Sequence, residues 1–128
     1  MVMKNILFAD MGVQDLSSQG LVVLITSGIE GKDALLRAYQ EAFNFPYFRM
    51  NWDALQDCLR DLSWINAERV VIIHDDLPSL EESDLRTYLA ILSDTVIEWA
   101  DDSGKKFEVV FPLHLKARLS EIVGGVKA

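Results

Sequence analysis

Residues 45–62 read Phe-Pro-Tyr-Phe-Arg-Met-Asn-Trp-Asp-Ala-Leu-Gln-Asp-Cys-Leu-Arg-Asp-Leu, an aromatic loop that leads into a run with helical periodicity. At about 100° per residue, Asp53, Asp57 and Asp61 line one side of the predicted helix. The leucines and Cys58 fall on the opposite side, which we expect to face a hydrophobic core. The aspartates are therefore expected in solvent, where they can meet a cationic partner.

The spacing of the aspartates has a cost, because like charges at i,i+4 on a helix destabilise it by about 0.2–0.5 kcal/mol per pair. Local features offset part of this cost. Asn51 is well placed as the N-cap and Asp53 lies near the positive end of the helix dipole. Arg60 lies within reach of Asp57. For a bare charge stripe, a solvated acidic face is the first explanation, ahead of a binding surface, so the stripe alone does not predict a function.

The residues of this segment are more specific than their charge. Asn51–Leu55 (Asn-Trp-Asp-Ala-Leu), followed by Asp57–Leu59 (Asp-Cys-Leu) and preceded by Pro46–Phe48 (Pro-Tyr-Phe), resembles the signature of the barstar family of ribonuclease inhibitors. The resemblance covers roughly residues 21–111. In that family the same loop and helix occlude the active site of a small secreted ribonuclease, and acidic groups take the place of substrate phosphates. The resemblance implies an α/β fold and a protein-binding function without catalysis.

The resemblance also assigns partner-binding roles position by position. Tyr47 and Phe48 would supply apolar contact, Asn51 hydrogen bonds, and Asp53 and Asp57 charge complementarity to Arg, Lys or His in the target. Further candidates for the same surface are Arg49, Gln56, Asp61 and Glu98. The implied function is that of an intracellular antidote to a small secreted ribonuclease, with no cofactor and no metal.

Several positions depart from the pattern of the family. Arg49 puts a cation beside the aspartates, in a loop one residue shorter than usual, and Gln56 stands where an aromatic residue is common. Trp99 aligns with an acidic residue of the best-known member. Periodicity places Trp99 on the core side of its helix and Glu98 almost opposite. These departures favour, as the alternative, a barstar-like module that binds a different basic protein without inhibiting a ribonuclease.

Composition limits the function classes. The chain has 128 residues, half of them apolar, which suits one domain with its own core. Twenty acidic against twelve basic residues give a net charge of −8, which argues against direct nucleic-acid binding and for a basic partner. One cysteine excludes an intramolecular disulfide, and the first residues do not form a secretory leader, so the predicted compartment is the cytoplasm.

No apolar run approaches the roughly 18–20 residues that cross a bilayer, so we expect no membrane association. A homodimer stays open beside a foreign partner, because several apolar side chains cluster near the predicted surface. These are Phe48, Met50 and Trp52.

Hydrophobic patterning predicts alternating strands and helices. Three apolar runs without polar alternation are the predicted strands: Leu21–Thr26, Arg69–His74 and Phe107–Phe111. Besides the acidic helix, the predicted helices cover residues 32–43, a long stretch from the capping-box pattern Ser79-Leu-Glu-Glu82 to Gly104, and residues 113–123. Strands of this kind separated by helices favour a small three-stranded parallel sheet packed with helices.

We assign residues 1–128 to a single barstar-like domain. Its core spans roughly residues 21–111, with an N-terminal extension over 1–20 and a C-terminal helix over 112–125. Within the extension, Ile6–Ala9 is a candidate short edge strand and Val13–Gln19 a candidate helical turn.

The segment Gly28-Ile-Glu-Gly31-Lys32 is similar to a phosphate-binding loop. However, its glycines are closely spaced, and Asp33 stands where a hydroxyl should bind magnesium. A turn into the first helix explains these glycines equally well.

His74-Asp75-Asp76, at the end of a predicted central strand, is the stronger rival. Carboxylates and an imidazole at the carboxyl edge of a parallel sheet can hold a divalent metal or accept a phosphoryl group. The third hypothesis is therefore a metal- or phosphate-dependent enzyme centred on Asp75 and Asp76. Against it, we expect both histidines to be structural and the Cys58 thiol to be a neutral core group.

Overall fold

The computed structural model describes residues 6–8, 20–45, 49–61, 68–100 and 106–124. Its strands are β1 (Ile6–Phe8), β2 (Leu21–Ile25), β3 (Arg69–His74) and β4 (Lys106–Phe111). Its helices are α1 (Lys32–Phe43), α2 (Trp52–Asp61), α3 (Glu82–Ala100) and α4 (Lys116–Gly124), the last preceded by a 3-10 turn over Leu113–Leu115. Strands and helices are thus interspersed along the chain, as in an α/β fold.

The strands form one parallel sheet in the order β1-β4-β3-β2. The prediction of three strands is wrong by one, because β1, in the N-terminal extension, pairs with β4 through Ile6 opposite Val109. The candidate edge strand is thereby confirmed over Ile6–Phe8. Its three residues are too short to show the continuous apolar run that marks the other strands. The candidate helical turn at 13–19 lies outside the described residues.

The main core lies between one face of the sheet and the helices. In α1 the buried side chains recur at three- and four-residue spacing, which is the pattern of a helix that packs on one side. Burying each large apolar side chain stabilises the fold by roughly 1.5–3 kcal/mol. Among the fully buried residues are Leu35, Leu36, Tyr39, Leu55, Leu59, Ile72, Tyr88 and Leu89.

The glycines after β2 serve a turn. Gly28 and Gly31 have φ of 87° and 90°, in the left-handed region that glycine adopts without strain. The Gly31 N–H donates to the Ser79 carbonyl at 2.8 Å, and the Ser79 N–H donates to the Ile29 carbonyl at 2.9 Å. These backbone bonds join the loop after β2 to the loop after β3. The Gly31 N–H is therefore already used within the chain and does not point to a phosphate.

The predicted capping box at residues 79–82 is wrong. Helix α3 begins at Glu82, and the Leu85 N–H bonds to the Glu81 carbonyl, so Ser79 lies before the helix. It forms instead a backbone bridge opposite Glu30. The backbone of Ser79 pairs with a distant loop and does not cap the helix that the local Ser-x-x-Glu pattern predicts.

Helices α1 and α2 start where the periodicity placed them, whereas α4 begins at Lys116, later than the predicted start at residue 113, because Leu113–Leu115 form a 3-10 turn. α1 coincides with the predicted 32–43, and Asn44 ends it with φ of 50° and an N–H bond to the Gln40 carbonyl. The predicted end of α3 at Gly104 lies outside the described residues. Within the described ranges, no helix combines the length and apolarity that a bilayer crossing requires.

Candidate protein-binding site

Helix α2 has the two sides that the sequence predicts. Leu55, Cys58 and Leu59 are buried in the main core, whereas Asp53 and Asp57 are exposed. Asp61, at the end of the helix, is exposed as well. Because α2 packs against α3 and α1 through its apolar side, its carboxylates remain in solvent. The helix therefore presents a line of negative charge on a fixed support.

Asn51 caps this helix. Its Oδ1 accepts the Ala54 N–H at 2.7 Å, which satisfies one of the amides that a helix start leaves without a partner. The predicted N-cap is confirmed. The predicted hydrogen bonds from Asn51 to a partner would then come from its amide N–H groups, since the oxygen already has a bond within the chain.

Trp52 is half-buried and holds the start of α2 against two other helices. Its Nε1 donates to Asp84 Oδ1 at 3.2 Å, and the Lys32 Nζ lies 5.5 Å from the centroid of its ring. The ring also packs beside Tyr88, with 6.1 Å between centroids. Trp52 therefore supports the site from within, whereas its neighbour Met50 is exposed.

The end of α2 is held by α3. Trp99 is only 6% exposed, which confirms the predicted core position, and its Nε1 donates to the Leu59 carbonyl at 3.0 Å. Glu98 next to it forms an ion pair with Arg60. The expected interaction of Arg60 with Asp57 is replaced by this contact between helices. Both charged groups are close to half exposed, so the pair contributes about 0–1 kcal/mol.

The ion pair changes the role expected for Glu98. Periodicity placed this residue away from the core, and the structure brings it beside the end of α2. Its carboxylate contacts the guanidinium of Arg60, which offsets its charge.

The sulfur of Cys58 lies on the apolar side of α2, as predicted. Burial raises the pKa of the thiol, and the nearby carboxylates of Asp57 and Asp61 raise it further. Cys58 is therefore a neutral core group at physiological pH, in keeping with its predicted structural role.

The loop before α2 is described in part. Tyr47 and Phe48, the predicted apolar contacts, lie outside the described residues. Arg49 is exposed, and its carbonyl accepts the Asn51 N–H at 2.8 Å. Gln56 is half-buried on α2. A positive charge therefore stands at the start of the line of aspartates.

At the rival site, the imidazole of His74 is turned into the core. Its Nε2 lies 2.6 Å from the Tyr88 hydroxyl and its Nδ1 lies 3.1 Å from the Val110 carbonyl. The ring stacks on Phe111 at 3.9 Å between centroids. Burial lowers the pKa of His74 to about 3, although the hydrogen bond to Val110 acts in the opposite direction. His74 is therefore a neutral structural group, as predicted.

The carboxylates after His74 point elsewhere. Asp75 and Asp76 are exposed, and Asp76 Oδ1 accepts the Leu77 N–H at 2.8 Å. Within the described ranges, no three His, Cys, Asp or Glu side chains converge as metal ligands would. The geometry separates the imidazole from the carboxylates that the third hypothesis combines.

Sequence reasoning missed the residues that support α2 from α3. Asp84 carries no local sign of its bond to Trp52, because the two residues are 32 positions apart. The buried hydrogen bond between the hydroxyls of Tyr39 and Tyr88, at 2.6 Å, was also not predicted. Both tyrosines recur on the apolar sides of their helices, which signals burial but not the identity of a polar partner.

Comparison with known proteins supplies the family. The model of the family described as Barstar (barnase inhibitor) matches residues 20–112. No curated protein and no solved structure matches the chain. The family match covers more than half of the chain and includes the whole of α2 with its exposed aspartates. The chain therefore belongs to the barstar family of barnase inhibitors.

Proposed function

We propose that the protein inhibits a small secreted ribonuclease by covering the basic active site of the enzyme with α2 and the loop before it. The observation that carries this proposal is the line of exposed carboxylates on a helix whose opposite side is buried. Fixed negative charges of this kind complement the Arg, Lys and His side chains that bind substrate phosphates.

Asp57 is the main residue of the proposed interface. It lies in the middle of the exposed side of α2, with Asp53 one turn before it and Asp61 one turn after. The Asn51 amide would donate hydrogen bonds at the edge, and Tyr47 and Phe48 would supply apolar contact. Glu98 contributes less, because Arg60 already offsets its charge.

The biological role that we propose is an antidote in the cytoplasm of a cell that secretes the ribonuclease. The net charge of −8 favours rapid encounter with a basic enzyme. Since the Debye length is about 8 Å at physiological salt, added salt should lower the association rate constant and change the dissociation rate constant much less.

The test compares two charge deletions in binding to a purified barnase-type ribonuclease. Asp57→Ala removes a carboxylate from the proposed interface, and Glu121→Ala removes an exposed carboxylate from α4 as the matched control. We expect Asp57→Ala to weaken binding at least about thirtyfold, which corresponds to the lower end of the roughly 2–5 kcal/mol lost when one member of a buried charge pair is removed. Barstar and barnase themselves helped to set that range, so the figure is taken over from their complex.

Glu121→Ala should leave the affinity within about twofold of the wild type, since at most long-range steering is lost. The proposed mechanism fails if the wild-type protein inhibits the enzyme and Asp57→Ala inhibits it equally well. It also fails if Asp57→Ala and Glu121→Ala weaken binding equally. In that case only the net charge of the protein would matter, and not the position of the carboxylate on α2.

A second candidate function is binding of a different basic protein, and Arg49 is the observation that favours it. Arg49 is exposed two residues before Asn51, the cap of the helix that carries the aspartates, and its charge would repel a uniformly basic cleft. The burial of Trp99 also favours the second candidate function, because the family pattern has an acidic contact at this position of α3 and this chain has a buried indole there. This function replaces the first if no ribonuclease from the same genome binds while another basic protein binds and depends on Asp57.

A further inference from the structure

We propose that Trp52 and Trp99 are positioning residues that hold α2 in its binding orientation before any partner arrives. Neither indole belongs to the line of aspartates, and each donates a hydrogen bond across the boundary between α2 and α3. The two bonds run in opposite directions, because Trp52 belongs to α2 and Trp99 to α3.

The contact at the start of α2 joins the first turns of three helices. Trp52 is the first residue of α2, Lys32 is the first residue of α1, and Asp84 lies in the first turn of α3. The Asp84 carboxylate accepts the indole N–H while it also interacts favourably with the dipole of α3. The Lys32 ammonium lies over the face of the same ring. One side chain therefore fixes where α2 begins.

The contact at the end of α2 satisfies a carbonyl that the helix itself cannot. Leu59 is among the last four residues of α2, whose carbonyl groups have no partner within a helix. The indole of Trp99 provides that partner at 3.0 Å, in a site where both residues are buried. The ion pair between Arg60 and Glu98 lies beside it. Removal of the indole N–H would break this bond between α3 and the end of α2.

A helix like α2 needs such support. It has ten residues, whereas isolated helices below about 12–15 residues are marginal in water. Its aspartates at four-residue spacing repel one another. Contacts at both ends hold these charges in one arrangement, which lowers the ordering cost of binding. Trp52 and Trp99 would thus raise affinity for a partner that they do not touch.

The effect on the free protein can be measured without a ribonuclease, whereas the effect on affinity rests on the proposed function. The first measurement is amide hydrogen exchange in free Trp99→Phe and Trp52→Phe, which keep an aromatic ring but lose the N–H. We expect the amides of α2 to exchange about fivefold faster in each variant, with those of α4 unchanged. The matched control is Thr95→Val, which removes a buried hydrogen bond to the Ile91 carbonyl within α3 and no bond to α2.

The second measurement is a conservative rescue at Asp84. Asp84→Ala and Asp84→Asn lose the same charge, but only the asparagine retains an oxygen that can accept the Trp52 N–H. We expect Asp84→Ala to speed exchange in α2 and Asp84→Asn to restore most of the protection. Asp84 is half-exposed, so this pair of variants tests the proposal even if Trp99→Phe fails to fold.

Binding to a barnase-type ribonuclease then separates positioning from general stability. Trp99→Phe and Asp84→Ala should raise the dissociation rate several-fold and keep the salt dependence of association, because the charges of α2 are unchanged. Thr95→Val should bind as the wild type does. The proposal is overturned if α2 exchanges equally fast in Trp99→Phe and Thr95→Val, or if Asp84→Asn and Asp84→Ala behave alike. If the variants exchange faster in α2 but the wild-type protein does not bind the ribonuclease, the positioning role is supported and the proposed function is rejected.

Discussion

Removal of one hydroxyl from the buried chain Tyr39–Tyr88–His74 tests the direction in which its hydrogen bonds run. The Val110 carbonyl can only accept, so the His74 Nδ1 carries the proton of their 3.1 Å bond. With its pKa lowered to about 3 by burial, the imidazole is neutral and accepts at Nε2. Tyr88 must therefore donate to His74, and its oxygen accepts the proton of Tyr39. In this row of hydrogen bonds, each side-chain polar atom of Tyr39, Tyr88 and His74 then has a defined role as donor or acceptor.

This direction predicts unequal costs for two chemically identical changes. Tyr88→Phe leaves the His74 Nε2 and the Tyr39 hydroxyl without partners, in residues that are 2% and 0% exposed. At about 1–3 kcal/mol for each unsatisfied buried group, the loss is about 2–6 kcal/mol. Tyr39→Phe removes only the first donor and leaves the bond from Tyr88 to His74 in place, at a cost of about 1 kcal/mol.

The assay is urea unfolding at pH 7, followed in parallel by circular dichroism and tryptophan fluorescence. Equal m-values for wild type and variants would show that the same unfolding transition is being compared. We also expect the double variant to lose less than the sum of the single losses, since Tyr39→Phe removes a group that Tyr88→Phe would leave unsatisfied. If Tyr39→Phe destabilises the protein as much as Tyr88→Phe, the assigned direction is wrong.

Three further predictions concern pH, the helix cap and the glycine turn. Because the pKa of His74 falls from 6.5 to about 3 on folding, its contribution is fully present above pH 6.5 and is lost as pH falls toward 3. Measured by urea unfolding, the free energy of unfolding should fall by up to about 1.4 kcal/mol for each pH unit between pH 6.5 and 5. His74→Phe should lack this pH dependence. Asn51→Ala should cost about 1 kcal/mol in the same assay and Asn51→Asp much less, since the aspartate also caps. Gly31→Ala should lower stability by about 1–2 kcal/mol through its φ of 90° alone, because an added Cβ would meet no atom within 4 Å; an unchanged unfolding midpoint would contradict this explanation.

Local patterns were sufficient for the features that depend on one segment. The strands of a parallel sheet are buried on both faces, so β3 is visible in the sequence as an uninterrupted apolar run. The same holds for α2, where the spacing of Asp53 and Asp57 against Leu55 and Leu59 follows directly from the helical repeat. Asn51 caps the helix through a bond that spans three residues, which a local pattern also contains.

Features that depend on distant segments could not be predicted in this way. Arg60 had an acceptable acidic neighbour within its own helix, yet it pairs with Glu98, 38 residues away. Ser79 had the sequence of a helix cap, yet its backbone is used by the loop that contains Gly31. In both cases a local interaction worth a few tenths of a kcal/mol to about 1 kcal/mol competes with contacts between segments that are distant in the sequence. Periodicity identifies the side of a helix that is buried, but not which distant group meets it.

Trp99 shows how a departure from the family pattern can preserve a site while changing its composition. An acidic residue was expected at this position from the resemblance, and a buried indole occupies it. The indole bonds to the end of α2, and the next carboxylate, Glu98, is drawn to Arg60. At this position α3 therefore carries no acidic side chain, and its indole instead holds the end of α2, the helix that carries the aspartates. If α2 binds a basic partner as proposed, discrimination among such partners would depend more on α2 and on Arg49, because a partner would have to offer a carboxylate or open space opposite that guanidinium. A ribonuclease with a uniformly basic rim would bind this protein more weakly than one whose rim includes an acid.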